Sequence, residues 1–212
     1  MSIPTRHRKN PKLEVSSKGY LINPLTGSEV WYHGSSHCRK LTTKSLKPDF
    51  EDTEHVAFFV TSSVDYADQY SELSSSGEMN RYQGLYEVAI KTPINLCRVD
   101  LLFIDNKLSD EGDRLLKTLV DQDPDTSEDD FRDGLQAVAQ DMDWSHFVDV
   151  DYYESSGVLP EYALVNAFQA LGYDGWIERR SRGRVTSVVD LAIFHTQISK
   201  VEILKNIIFR KV

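Results

Sequence analysis

The chain has few of the residues that build covalent or metal-bound scaffolds. Only Cys38 and Cys97 supply thiols among 212 residues, and no CxxC occurs. Neither a disulfide framework nor a structural zinc is indicated, so a reduced, cytoplasmic setting is expected. Long apolar runs are also missing: no stretch approaches the ~20 residues of a membrane-spanning helix. The basic start, Met1-Ser2-Ile3-Pro4-Thr5-Arg6-His7-Arg8-Lys9, is followed by no apolar segment and does not read as a secretory signal. No GxGxxG is present, which leaves a Rossmann-type dinucleotide site unsupported. Internal repeats and domain linkers are absent too.

What remains describes one ordinary core. Apolar residues make up 40% of the chain, and its length suits a single domain. The formal charge of -9 is unevenly placed. Between Asp105 and Glu154 stand 16 acidic and 4 basic residues, a local -12, so everything else together carries about +3. Residues 1–19 hold Arg6, Arg8, Lys9, Lys12 and Lys18 with two prolines and no apolar period. They are expected to form a basic lead-in arm, mobile or loosely docked. Residues 20–212 then form the domain, with an acidic helical insertion at about 105–155.

Strand signals come early and late. Glu29 to His33 alternates and meets Gly34-Ser35-Ser36, which reads as a stop. His55 to Thr61 is a second strand. It leads into Ser62-Ser63-Val64-Asp65, a helix-start pattern for a helix reaching about Leu73. Tyr66 and Tyr70, four apart, share one face of that helix. Gly84 to Ile90 is a third strand closed by Pro93. In the acidic block Leu115, Leu116 and Leu119, then Phe131, Leu135 and Val138, recur at helical spacing. Pro160 to Leu171 is a helix ended by Gly172. A turn and strand from Tyr173 to Glu178 precede a basic loop with Arg179, Arg180, Arg182 and Arg184. Two apolar strands, Ser187 to Phe194 and Val201 to Arg210, finish the chain. Strands at both ends with helices between them give an α+β class.

Three features could carry chemistry. Asp190 interrupts Val188-Val189-Asp190-Leu191-Ala192-Ile193-Phe194, a run that reads as a strand buried on both faces. A carboxylate there is either satisfied locally or kept for function. His33 ends a strand beside a glycine, which suits either a structural histidine or close approach to a ligand. Tyr66 and Tyr70 make an aromatic face that serves packing or stacking.

Taken in order, three segments resemble the motifs of ADP-ribosyltransferases of the diphtheria-toxin and poly(ADP-ribose) polymerase branch. Trp31-Tyr32-His33-Gly34-Ser35-Ser36 is similar to the first, His-Gly-Ser. Phe58 to Tyr70 is similar to the second, in which a strand ending in an aromatic pair precedes a helix bearing a stacking tyrosine. Val189 to Ile198 is similar to the third, in which an acid opens an apolar strand and a Gln-aliphatic pair follows, here Gln197-Ile198. The resemblance implies a split antiparallel β-sheet core with flanking helices, and NAD as substrate with no metal. It places His33 on the adenosine-side ribose and the Gly34 backbone on the nicotinamide carboxamide, with Ser35 nearby. Tyr70 would stack on nicotinamide, with Tyr66 and Phe59 lining the pocket, and Asp190 would be the catalytic carboxylate. Phe59 stands where the branch has tyrosine, and Asp190 where it has glutamate, one methylene longer. Glu178, Arg179, Arg180, Arg182 and Arg184 fall where the family touches its acceptor, a protein or nucleic acid. Glu178 is either an assisting acid or an exposed partner for those arginines. The implied protein is a monomeric bacterial or phage effector acting as a transferase. The alternatives are an NAD glycohydrolase and a catalytically weakened member that binds a partner through the acidic insertion.

Overall fold

The computed structural model describes residues 13–35, 40–46, 57–72, 82–141, 160–181 and 187–211. The strands are β1 (Trp31–Ser35), β2 (Ala57–Thr61), β3 (Tyr82–Ile90), β4 (Leu96–Arg98), β5 (Phe103–Ile104), β6 (Lys107–Leu108), β7 (Gly175–Ser181), β8 (Ser187–Phe194) and β9 (Val201–Lys211). The helices are α1 (Val64–Glu72), α2 (Asp110–Gln122), α3 (Glu128–Asp141) and α4 (Pro160–Ala170). Seven strands form one sheet in the order β4-β7-β8-β2-β1-β3-β9. The fold is therefore α+β. The sheet is mixed rather than wholly antiparallel, because the short β4 joins its edge parallel to β7.

Each face of the sheet carries its own apolar layer. On one face Ala57, Trp176, Ala192 and Phe194 pack against Leu115, Leu116 and Leu119 of α2, Phe131, Leu135 and Val138 of α3, and Leu164 and Phe168 of α4. These helical positions are the ones the leucine and phenylalanine spacing singles out, and each buried side chain stabilises the domain by about 1.5–3 kcal/mol. The acidic block is thus no appended lobe. Its apolar stripes cover the sheet while Asp110, Asp113, Asp121 and Asp129 face solvent. The other face is closed by Leu21, Trp31, Phe58, Val60, Val88, Ile90, Ile177, Val189, Leu191 and Ile193.

Local chemistry explains the element ends. Ser63, not Ser62, caps α1, its Oγ accepting from the Tyr66 N–H at 3.3 Å. Ser62 instead ties two strands, its Oγ accepting from the Val189 N–H at 2.9 Å. Gly172, at φ 83, ends the α4 turn as expected. Asp105 and Asn106, both at positive φ, make the β5–β6 turn, a hairpin where the acidic block reads as helix. Residues 13–19 are not a free arm: Val15 bridges Leu21, and Leu13 packs on the core. Residues 1–12 and Cys38 lie outside the described residues. Cys97 is a free, buried thiol that burial pushes up to about 12. Among the described residues no helix is long and apolar enough to cross a membrane.

Candidate functional site

The sheet has one weak seam. β2 and β8 run in register from Ala57↔Phe194 to Thr61↔Asp190, and β1 and β3 from Trp31↔Val88 to Ser35↔Gly84. Between these halves, among the described residues, β1 and β2 share a single register pair, Tyr32↔Thr61. His33 stands at this seam. Its Nδ1 lies 2.7 Å from the Phe59 carbonyl oxygen, so a side-chain bond takes over where the backbone ladder stops. A carbonyl only accepts, so Nδ1 carries the hydrogen. In the neutral ring Nε2 is then an acceptor, suited to a hydroxyl donor. The ring is stacked on Phe58, with centroids 4.1 Å apart, and tilted against Tyr86 at 6.2 Å.

Register assigns the faces. Glu178↔Asp190↔Thr61↔Tyr32 is one continuous row across β7, β8, β2 and β1, and side chains paired in an antiparallel row point to the same side. Asp190, 7% exposed, and Glu178, 3% exposed, are therefore buried neighbours, with Cβ atoms about 4.5–5.5 Å apart in such pairs. The Trp176 indole N–H donates to Glu178 Oε1 at 2.8 Å. One row over, Trp176↔Ala192↔Phe59 lies on the same side. The small Ala192 lets the Trp176 and Phe59 rings meet edge to face, centroids 6.0 Å apart. Phe59 is 42% exposed, so this side of the sheet opens to solvent beside the carboxylates.

Several expectations need correction. A nucleotide cleft shared by His33 and Asp190 calls for their strands to lie side by side, and they do not: β2 lies between them. His33 pairs with Tyr86, and by register it points to the face opposite Asp190. Phe59 lies between the two: its carbonyl meets His33 and its ring lies on the Asp190 side. Gly34 does not end β1; it pairs with Leu85 inside the strand. The missing side chain is explained by α1, since a Cβ there would stand 1.9 Å from the Ala67 carbonyl oxygen. Ser35, also paired in β1, is buried. Tyr66 is buried in the packing of α1. Tyr70 lies on α1, and its side chain is outside the described residues.

Glu178 is not exposed: it is a buried cross-strand neighbour of Asp190. The strand also runs further than expected: Arg179 and Arg180 belong to β7, paired with Val189 and Val188, so the basic loop begins after them. Arg179 shares the face of Ile177 and Val189, away from Asp190. Arg182 and Arg184, and the Arg180 side chain, lie outside the described residues. The sequence reading missed Trp176 and Thr61 as neighbours of the acid. The adjacent apolar pair Trp176-Ile177 was the available signal, because it implies a strand buried on both faces and hence a buried Glu178. Searches of protein-family models, of curated proteins and of solved structures find no match to this chain.

Proposed function

We propose that this protein is an NAD-dependent ADP-ribosyltransferase that moves ADP-ribose from NAD to a macromolecular acceptor, protein or nucleic acid, and releases nicotinamide. The observation that carries the reading is Asp190, buried beside Glu178 on the face where Phe59 is exposed. Burying two neighbouring carboxylates is costly unless each is paired or hydrogen-bonded, and acids held this way recur at functional sites. Their chemistry suits the reaction. Cleaving the bond between ribose and nicotinamide builds positive charge on the sugar, and a fixed anion stabilises it without solvent reorganisation. Phe59 offers a ring for the nicotinamide to lie against. In this reading His33, held with Nδ1–H on the Phe59 carbonyl at the seam, meets the adenosine-side ribose. The nicotinamide end of the dinucleotide then lies on the face of Asp190 and Phe59.

Labelled NAD and cell lysate test the proposal. Unmodified protein is expected to label a macromolecule, and Asp190→Ala to lower labelling by about 10²–10³, the effect of deleting one preorganised group. Equal labelling by the two proteins would end the transferase reading. A second reading is favoured by the solvent-facing acids of α2 and α3 together with the shortened Asp190: a non-enzymatic binder of a basic partner. Nicotinamide release separates the two, and release without macromolecular labelling points to an NAD glycohydrolase.

A further inference from the structure

We propose that Glu178 is the base of the transfer step, and that the acceptor atom belongs to a group bearing a removable proton and no negative charge. This rests on the transferase reading above and deepens it. Asp190 and Glu178 sit directly opposite each other on β8 and β7 and face the same side. One sugar carbon can therefore be reached by both, Asp190 at the ribose hydroxyl and Glu178, one methylene longer, at the incoming nucleophile. Glu178 is held for this. Its neighbour two positions earlier, Trp176, donates to Oε1 at 2.8 Å, and the Trp176 ring is itself wedged against Phe59, Phe168 and Phe194. A carboxylate fixed at that level is a positioned proton acceptor rather than a surface charge.

The step balances without any further reagent. The bond from ribose C1′ to nicotinamide breaks, and its electron pair leaves on the nicotinamide. The acceptor oxygen or nitrogen forms the new bond to C1′. Its proton passes to the Glu178 carboxylate and then to solvent. The same geometry selects the acceptor. An anionic nucleophile, carboxylate or phosphate, would approach two carboxylates on one face and be repelled, and it would have no proton to give. A hydroxyl, an amide or a guanidinium meets neither obstacle.

Two measurements with labelled NAD decide the matter. The first uses the unmodified protein and four small acceptors: an N-acetylated serine amide, agmatine, an N-acetylated aspartate amide and phenyl phosphate. Label on the serine amide or agmatine is expected, and label on the aspartate side chain or the phosphate would overturn the inference. The second compares Glu178→Gln with Glu178→Asp in nicotinamide release and acceptor labelling. Glu178→Gln should lower kcat by about 10²–10⁴, the range for a positioned acid or base, with KM for NAD unchanged and partial recovery in Glu178→Asp. A Glu178→Gln rate within twofold of the unmodified protein, or a change in KM alone, would show a structural role only. Nicotinamide release by the unmodified protein with the wrong acceptor specificity sinks this inference alone. No release at all sinks the transferase reading with it.

Discussion

Among the described residues, the two seams of β2 are unequal: five register pairs join it to β8 and one joins it to β1. Toward β8 the strand is laddered from Ala57 to Thr61, and its partner presents Val189, Leu191 and Ile193 to one apolar layer. Toward β1 it keeps one pair, and a histidine side chain does the rest. The first seam is a junction built for stability. The second has given up backbone hydrogen bonds, each worth about 0.5–1.5 kcal/mol net, and stands open where an exposed aromatic ring and a buried acid lie close by. A strand that is rigid on one side and loosely joined on the other can hold catalytic groups in place while admitting a ligand at its edge.

The sharpest way to break this comparison is within β8 itself, where alternate residues serve opposite faces. Leu191→Ala removes a fully buried side chain from the apolar layer and should lower unfolding stability by about 2–5 kcal/mol. Activity per folded molecule should be retained. Asp190→Ala, one residue away, should do the reverse and leave the denaturation midpoint near that of the parent. Chemical denaturation of both variants alongside NAD turnover checks the pair. If Asp190→Ala destabilises as much as Leu191→Ala, the acid belongs to the scaffold, and the contrast between the faces is lost.

Next in size is Gly34→Ala, on the open side. The added methyl would overlap the Ala67 carbonyl oxygen and crowd the Ser71 backbone nitrogen. Neither is a flexible side-chain tip, so α1 must move off β1. Overpacking of this kind costs about 1–3 kcal/mol, readable as a drop in Tm. A neutral outcome would mean that α1 is free to slide, and that the seam is looser than its geometry suggests.

Much of this was legible before any coordinates. The interrupted run Val188 to Phe194 revealed a central strand with an acid in it, and helical spacing found the buried leucines of α2. What the residues alone do not carry is pairing. Nothing local says that β2 separates β1 from β8, because strand order is set by which apolar faces must be covered together. The face of His33 follows from register, and register follows from pairing, so a one-residue difference puts a side chain on the other side. Gly34 looked like a stop because glycine punctuates strands so often. Here it continues a strand that a helix must approach closely. Glu178 read equally as an assisting acid or as an exposed partner for the arginines that follow it, and a strand buried on both faces leaves an acid no outward side.

The smallest expected effect concerns the seam itself. His33→Phe keeps a ring to stack on Phe58 but deletes the donor that meets the Phe59 carbonyl. The half-exposed site lets water rehydrate that carbonyl, so the stability cost should be about 1 kcal/mol. If the histidine serves only the seam, that is the whole effect. If its second nitrogen also accepts from a ribose hydroxyl, NAD affinity falls as well, by roughly tenfold for one lost hydrogen bond of about 1.4 kcal/mol. Calorimetric titration with NAD, set beside denaturation of the same variant, separates a histidine that closes the sheet from one that also holds the ligand. Unchanged affinity would confine His33 to the first role and leave the ligand to the face of Asp190 and Phe59.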